Sequence, residues 1–352
     1  MKKMKEKGTI CLKCVLLIAA VYFCAAETSL VKSAVSGGID RCLTAVIPSL
    51  YAMMIVSAVI VKSGILSCIP KFALFLFSMF AGYPAGAKII TEQYSSGEMT
   101  EKEASLLCGI CFGAGPAFII GCISVNLYGS ALAGRIIILS TVSANVLTAV
   151  GVSFLLRRRR SVGSVPHKQI NLGGGLLTES VVSAGRTMGE LCFMITAFSV
   201  ITAMLERIGA ISAAAVFFSS ITGFSRGISE AFIPAILDIT AVNGLPADNY
   251  VMLPWLCALV SFGGICVIFQ IAAIVSRRFP IRTFILLRLC ASALSFGICR
   301  IVMPYLIRDE LVPASTVNVS VCGSTSPVPS VMLLLMTFII IAEYDKIVKI
   351  PK

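Results

Sequence analysis

The sequence is poor in charged residues and in histidine. Only 13% of its 352 residues are charged, whereas soluble domains carry about 25%. The single histidine, His167, lies in a polar linker far from any acid–base partner, and no Walker loop, dinucleotide fingerprint or His-Glu metal helix occurs. These absences argue against an ATP-driven pump and against an enzyme, and no cofactor is predicted.

Apolar residues make up 57% of the chain, in recurrent runs of about 18 residues or more that can each span a bilayer as a helix. The sequence therefore predicts an all-α, polytopic protein of the cell membrane. The eight predicted transmembrane helices are Ile10–Ala26, Ile39–Val61, Ile69–Ile90, Gly134–Leu156, Thr187–Arg207, Ile228–Val242, Thr283–Ile307 and Ser330–Val348. Two further apolar segments, Ala104–Val125 and Tyr250–Val275, are interrupted by glycines.

The net charge of +12 comes from basic clusters in short loops, such as Arg157–Arg160. This pattern is typical of cytoplasmic loops that face anionic headgroups. Nucleic-acid binding is not predicted, since no aromatic–basic platform accompanies the charge. For the basic N-terminus a cleaved signal peptide is an alternative to a retained first helix. The 14 cysteines lie mostly in apolar runs, where they behave as small hydrophobic residues.

A weak internal repeat divides the chain. "CFGAGPAFIIG" at 111–121 aligns with "SFGGICVIFQI" at 261–271, and "VIVKSG" at 59–64 parallels "AMLERIG" at 203–209. The predicted parts are listed in chain order: an N-terminal helix in 1–35, a first repeat in 36–156, a basic cytoplasmic linker in 157–176, a second repeat in 177–307, and a loop with a C-terminal helix in 308–352.

Charge then predicts the topology. If Ala104–Val125 crossed the membrane, the helix after it would leave Arg157–Arg160 outside, against the positive-inside rule. A re-entrant segment that turns at Gly113–Pro116 keeps these arginines inside. By the same reasoning Tyr250–Val275 dips in from the opposite face, so the two repeats are inverted and both termini are cytoplasmic.

The interruptions indicate a binding surface at membrane depth. Unpaired backbone groups in hydrocarbon are costly, so a broken helix is tolerated where protein or water covers it, and paired broken segments in inverted repeats are typical of secondary transporters. The candidate backbone residues are Gly113, Gly115, Pro116, Gly263 and Gly264. The alternative is that these glycines serve close helix packing.

Polar side chains inside the predicted helices are the second set of candidates. Lys88 and Asp238 occupy matching places in the two repeats and are predicted to approach each other or a shared ligand. Thr240, Asn243 and Gln270 complete this set. The alternatives are snorkelling for Lys88 and a cap or turn role for Asp238 and Asn243.

The stretch "GYPAGAKIITEQYSSGEMTEKEASLLCGICFGAGPAFIIGCISVNLYGS", with "LDITAVNG" and "SFGGICVIFQ" in the second half, resembles the family of the sporulation integral membrane protein YlbJ. The likeness runs from about Ser36 to Ile307. Asp238 stands where that family more often has Glu, and Gly113 where it commonly has Asn. The resemblance implies a multi-pass membrane protein needed for spore formation, at the stage when the cortex is made. It also implies a nucleoside recognition, or gate, domain shared with concentrative nucleoside transporters.

The sequence therefore predicts a secondary transporter of a small polar, in part anionic, solute by alternating access. Lys88 and the half-helix N-termini would contact the anionic part, Asp238 would take a coupling proton or cation, and Gln270 would hydrogen-bond the solute. A homo-oligomer is left open. The alternative is a non-transporting scaffold for spore envelope assembly that depends on the loops Arg157–Gly175 and Val312–Pro329.

Overall fold

The computed structural model describes residues 14–15, 17–65, 77–79, 82–95, 101–156, 173–245, 250–274 and 281–307. Four predicted features lie outside these residues: the cluster Arg157–Arg160, most of the linker, the loop Val312–Pro329 and the helix Ser330–Val348. Every regular element in the described part is a helix, which confirms the all-α prediction.

The helices are numbered in chain order. They are α1 Leu17–Ala26, α2 Thr28–Lys62, α3 Tyr83–Ser95, α4 Glu101–Ile110, α5 Pro116–Tyr128, α6 Ala131–Leu156, α7 Leu176–Arg207, α8 Ala210–Thr222, α9 Arg226–Leu237, α10 Leu253–Phe262, α11 Gly264–Ile274 and α12 Ile281–Ile307. Two of them contain a π-helical stretch, Cys42–Val46 in α2 and Ile119–Val125 in α5. Short 3₁₀ turns follow α9 and precede α10.

Several of these helices are long and apolar enough to cross a membrane. The five candidate spans are Thr28–Lys62, Ala131–Val152, Leu176–Arg207, Tyr250–Ala273 and Ile281–Ile307, and the bent pair α8–α9 would make a sixth. Large apolar side chains stay exposed on them, for example Phe154, Phe193 and Tyr305. Exposed apolar surface on this scale fits a lipid environment, so the protein is one embedded in a membrane.

Helices α2 and α7 pack antiparallel over their full lengths. Lys62, at the end of α2, forms an ion pair with Glu179 in the first turn of α7 (3.2 Å). Just ahead of α2, Glu27 pairs with Arg207 at the other end of α7 (2.9 Å). The two extremities of this helix pair are called the Lys62 end and the Arg207 end below.

The contacts of the first interrupted segment give no support to the re-entrant prediction for Ala104–Val125. The Phe112 carbonyl accepts a hydrogen bond from Asn145 (2.8 Å), and the Ser124 hydroxyl accepts one from the Gly134 amide (2.7 Å). Asn145 and Gly134 lie about 16 Å apart along α6, at 1.5 Å per residue. The chain from Phe112 to Ser124 therefore runs antiparallel to α6 in a single direction.

The second interrupted segment behaves in the same way. Helix α10 packs against α6 and α12, whereas α11, after the glycines, packs against α3, α7 and α9. Tyr250–Ala273 is thus a broken span and not the predicted hairpin. The sharp bend lies earlier in the chain, where α8 and α9 meet at 111°.

Several predicted boundaries are also corrected. The predicted helices Ile10–Ala26 and Ile39–Val61 are not separated by a returning loop, because helical hydrogen bonds enter and leave Glu27 and α2 begins at Thr28. The predicted helix Ile69–Ile90 is interrupted at Gly82, whose φ of +89° is outside the helical range. The predicted helix Ile228–Val242 ends at Leu237, because the Asp238 side chain caps the turn that follows.

Candidate functional site

Four interruptions of the described helices meet in the interior. They lie at Gly82, at Cys111–Gly115, at Asp238 and at Gly263–Gly264. A Cβ placed on Gly82 would lie 3.4 Å from the Gly115 amide, and one on Gly113 would lie 3.1 Å from the Met79 carbonyl. Interruptions that are distant in sequence therefore share one small region.

Gly263 and Gly264 need to be glycines for two reasons. Both have positive φ, +89° and +83°, which side chains rarely tolerate. A Cβ on Gly263 would lie 2.6 Å from the Phe112 ring, and one on Gly264 would lie 3.1 Å from the Ile239 amide. This pair of glycines brings the break in Cys111–Gly115 and the break at Asp238 to the same place.

Asp238 is a buried acidic group of this region. It is 2% exposed, and its carboxylate accepts hydrogen bonds from the Thr240 amide (3.1 Å) and the Thr240 hydroxyl (2.6 Å). The predicted cap role of Asp238 and its predicted burial are therefore both present. A buried carboxylate with partners from one neighbouring residue keeps lone pairs for a further ligand.

Asp238 faces a small central cavity. The cavity has a volume of about 30 Å³ and is lined by Asp238, Thr240, Gln270 and Gly115 together with apolar side chains from α2 and α7. This is room for one or two water molecules. Four of the predicted site residues, from both halves of the chain, thus meet around one space.

The remaining predicted residues lie around this cavity or away from it. Gln270, which lines it, donates a hydrogen bond to the Cys266 sulfur (3.3 Å). Pro116 begins α5 directly after the first break. Asn243 is exposed in the 3₁₀ turn beyond Asp238 and does not line the central cavity.

Lys88 is placed elsewhere, and the prediction that it approaches Asp238 is not met. Its ammonium group donates to the hydroxyls of Ser183 (2.8 Å) and Thr187 (3.1 Å) on α7. It lines two cavities of about 470 and 590 Å³ near the Lys62 end, both also lined by Lys62 and Glu179. Its place is an approach to the interior rather than the central cavity.

A further cavity reaches Asp238 from the other direction. It has a volume of about 290 Å³ and is lined by Arg41, Ser199, Thr202 and Glu206 as well as by Asp238. Asp238 is therefore shared by this outer cavity and the central one. Sequence reasoning missed Arg41. The residue lies close to Ile39, the predicted start of a membrane helix, where an arginine is expected to lie at the membrane interface.

Sequence reasoning also missed a buried arginine next to the first break. Arg288 is fully buried in α12, donates to the Phe112 carbonyl (2.7 Å) and to the Asn145 amide oxygen (2.7 Å), and lies 5.0 Å above the Phe112 ring. The available signal was an arginine in the middle of an apolar span, which is costly unless it is partnered.

Tyr83 connects the two breaks. Its ring packs against Phe112 with centroids 4.3 Å apart, and its hydroxyl donates to the Val260 carbonyl in the last turn of α10. Hydroxyl, amide and guanidinium donors thus satisfy carbonyls that the broken helices leave free. Within the described ranges, no group of three or more His, Cys, Asp or Glu side chains could hold a metal ion.

No family model, no curated protein and no solved structure matches the chain. The function of the site therefore has to be inferred from its own geometry.

Proposed function

We propose that the protein is a secondary transporter of a small polar solute, with its binding site at the central cavity. The observation that carries this proposal is Asp238, a buried carboxylate facing an enclosed space where interruptions from both halves of the chain converge. Buried ionisable groups of membrane proteins mark solute or ion pathways by default.

The approaches to the cavity support alternating access. The cavities around Lys88 reach Ser183 on α7, and the cavity around Arg41 reaches Thr202. These two residues are 19 positions apart, or about 28 Å along the helix at 1.5 Å per residue, close to the thickness of a bilayer core. Cavities toward the two ends of the helix pair, separated by a tight centre, are what a carrier between its two open states requires.

The contacts also support an inverted repeat, with re-entrant segments one element earlier than predicted. Lys62 and Lys88 both bond to the first turns of α7, whereas Gly82, between them in sequence, contacts Gly115 in the interior. Lys62 and Lys88 thus lie toward the Lys62 end while Gly82 lies in the interior, which is the order that a re-entrant segment would give.

The second half enters from the other end. Arg207 marks that end, Asp238 lies in the interior beside Gly264, and Tyr250 stacks on Tyr128 where α5 finishes (5.4 Å). Each proposed unit then consists of a long helix, a re-entrant segment, a broken span and a second long helix. Inverted units of this kind place the binding site at their shared centre.

We assign the roles accordingly. Asp238 takes a coupling proton or cation, Gln270 and Thr240 hydrogen-bond the solute, and Lys88 attracts solute at one approach. Lysines at the Lys62 end make this face cytoplasmic by the positive-inside rule. A cytoplasmic C-terminus is part of the same proposal, whereas α2 then begins at the opposite face, where Glu27 pairs with Arg207. The resemblance to the YlbJ family adds a place in spore formation, also as a proposal.

Uptake into proteoliposomes tests the assignment of Asp238. The probes are labelled uridine, L-alanine and L-lactate, each under a proton or sodium gradient. We expect the wild-type protein to accelerate uptake of at least one probe, and Asp238→Asn to return it to the rate of protein-free liposomes. Asp40→Asn, an exposed aspartate on α2, is the matched control and should keep wild-type uptake.

Two outcomes would contradict the proposal. If Asp238→Asn carried solute as fast as the wild type, the aspartate would have no part in transport. If the wild-type protein moved none of the probes under either gradient, the scaffold alternative would be favoured.

A further inference from the structure

The outer cavity at the Arg207 end carries charges of both signs. Arg41 and Asp238 line it in the interior, Glu206 lines it near the Arg207 end, and Ser199 and Thr202 add hydroxyls. Its volume of about 290 Å³ is at the small end of the range for ligand pockets, about 300–1,000 Å³. Its size suits a solute no larger than a single small metabolite.

Arg41 has hydrogen-bonding capacity to spare. Its Nη2 donates one of its two hydrogens to the Ser199 hydroxyl (2.6 Å), and its Nη1 has no hydrogen-bond partner among the described residues. A guanidinium carries five donors in a planar fork that matches a carboxylate with two parallel bonds. Arg41 can therefore bind a solute carboxylate at the cavity without giving up Ser199.

The charges of Arg41, Asp238 and Glu206 restrict the net charge that a solute bound in this cavity can have. A simple anion on Arg41 would also face the carboxylates of Asp238 and Glu206, and a simple cation on Asp238 would face the guanidinium of Arg41. Like charges at short range are costly in a cavity with low-dielectric walls. A small zwitterion avoids both conflicts, because it presents an anionic and a cationic group together.

We propose that the outer cavity binds a small zwitterion of the α-amino acid class, with its carboxylate on Arg41 and its ammonium group on Asp238. This inference rests on the proposed transport function and names its solute class. The central cavity, at about 30 Å³, is too small for such a solute in this conformation, so passage requires the four interruptions to separate. When the solute binds, its ammonium group forms an ion pair with the Asp238 carboxylate.

The competing interpretation makes Arg41 a counter-ion of Asp238 and nothing more. The two interpretations differ in what happens when both charges are removed. If the residues only neutralise each other, the double variant Arg41→Gln/Asp238→Asn should recover what each single variant loses. If each binds one end of the solute, the double variant should bind at least as weakly as either single variant.

Thermal unfolding of the purified protein in detergent measures solute binding without transport. L-alanine is the zwitterionic probe, propionate and ethylamine are the single-charge probes of similar size, and uridine is the neutral probe. We expect L-alanine to raise the unfolding temperature more than the other three. Arg41→Gln should weaken L-alanine binding by at least about tenfold, through loss of a fork-shaped charged contact. Arg300→Gln, at an exposed arginine on α12, should leave it unchanged.

The outcomes separate this inference from the transport proposal. Equal stabilisation by propionate or ethylamine, or recovery of L-alanine binding in the double variant, would overturn the zwitterion site. Uptake of uridine that depends on Asp238 but not on Arg41 would overturn it as well, while the transport proposal would stand. Stabilisation by L-alanine that needs Arg41, without flux of any probe, would keep the site and refute transport.

Discussion

The two interruptions Cys111–Gly115 and Gly263–Gly264 each contain two glycines and yet are stabilised differently. The first is held from a distance, since the Phe112 carbonyl accepts hydrogen bonds from Asn145 on α6 and Arg288 on α12. The second is held mainly by backbone geometry and by close contact of its glycines with Phe112 and Ile239, with one distant side chain, the Tyr83 hydroxyl, donating to the Val260 carbonyl ahead of it. The charged group next to it, Asp238, has partners within its own turn.

This difference indicates that one break is rigid and that the other region can move. A break fixed by side chains from two other helices is expected to keep its shape. The Asp238 carboxylate, whose partners lie within its own turn, can move with that turn. In the proposed transporter the first half would then be a rigid frame, and the second half would supply the group that changes partners.

The largest effect is expected from Gly263→Ala. The new methyl group would lie 2.6 Å from the Phe112 ring at a φ of +89°, and left-handed backbone costs an alanine about 1–2 kcal/mol before any steric clash. We expect about 2–4 kcal/mol lower stability in all, measured by unfolding in detergent. Gly121→Ala, with open space around it, should change stability by less than about 0.5 kcal/mol. Equal losses in the two variants would contradict the close contact between the breaks.

An intermediate loss of stability is expected from changes to Asn145 and Arg288, the side-chain brace that bonds to the Phe112 carbonyl. The loss should differ between the two residues. Asn145→Leu removes an acceptor from the buried guanidinium of Arg288 and should cost about 1.5–3 kcal/mol. Arg288→Met removes the buried charge itself, leaves Phe112 bonded to Asn145, and should cost about 1 kcal/mol or less.

The double variant Asn145→Leu/Arg288→Met decides whether the brace is one unit. It should be more stable than Asn145→Leu alone, because the unpartnered charge is gone. If the two losses simply add, the side chains act independently and the proposed frame is not a unit.

An effect about as small as that of Arg288→Met is expected from Gly113→Ala. Gly113 has no positive φ in the structure, and a methyl group would lie 3.1 Å from the Met79 carbonyl, which needs only a small shift of the neighbour. We expect about 1 kcal/mol of destabilisation, read out in the same unfolding assay as Gly263→Ala. A loss as large as that of Gly263→Ala would show that the first break is the tighter of the two.

Much of this architecture was accessible from the sequence. Long apolar runs predicted the membrane helices, and clusters of glycine predicted interruptions near residues 113 and 263 that the structure contains. The direction of the chain after each interruption was not accessible. Glycine and proline indicate where a helix ends, but the continuation depends on distant partners such as Asn145 and Arg288.

The candidate site was predicted in part for the same reason. Asp238, Thr240 and Gln270 stood out as polar residues in apolar surroundings, and they do line one cavity. Lys88 carried the same signal, but its long side chain reaches the hydroxyls of α7 instead. Arg288 carried the signal of an arginine within an apolar span, but the partners of Arg41 and Arg288 lie on helices more than 100 positions away, and no local pattern identifies those partners.

The two π-helical stretches indicate where related sequences can lose a residue without a change in the rest of the fold. They touch each other, since the Cys122 thiol lies 3.4 Å from the Ala45 carbonyl. A π turn holds one residue more than the α turn it replaces. Loss of a single residue within Cys42–Val46 or Ile119–Val125 would leave ordinary α-helix, whereas the same loss elsewhere in α2 would rotate one side of the helix relative to the other. One-residue gaps between this chain and distant homologues should therefore fall in these two stretches.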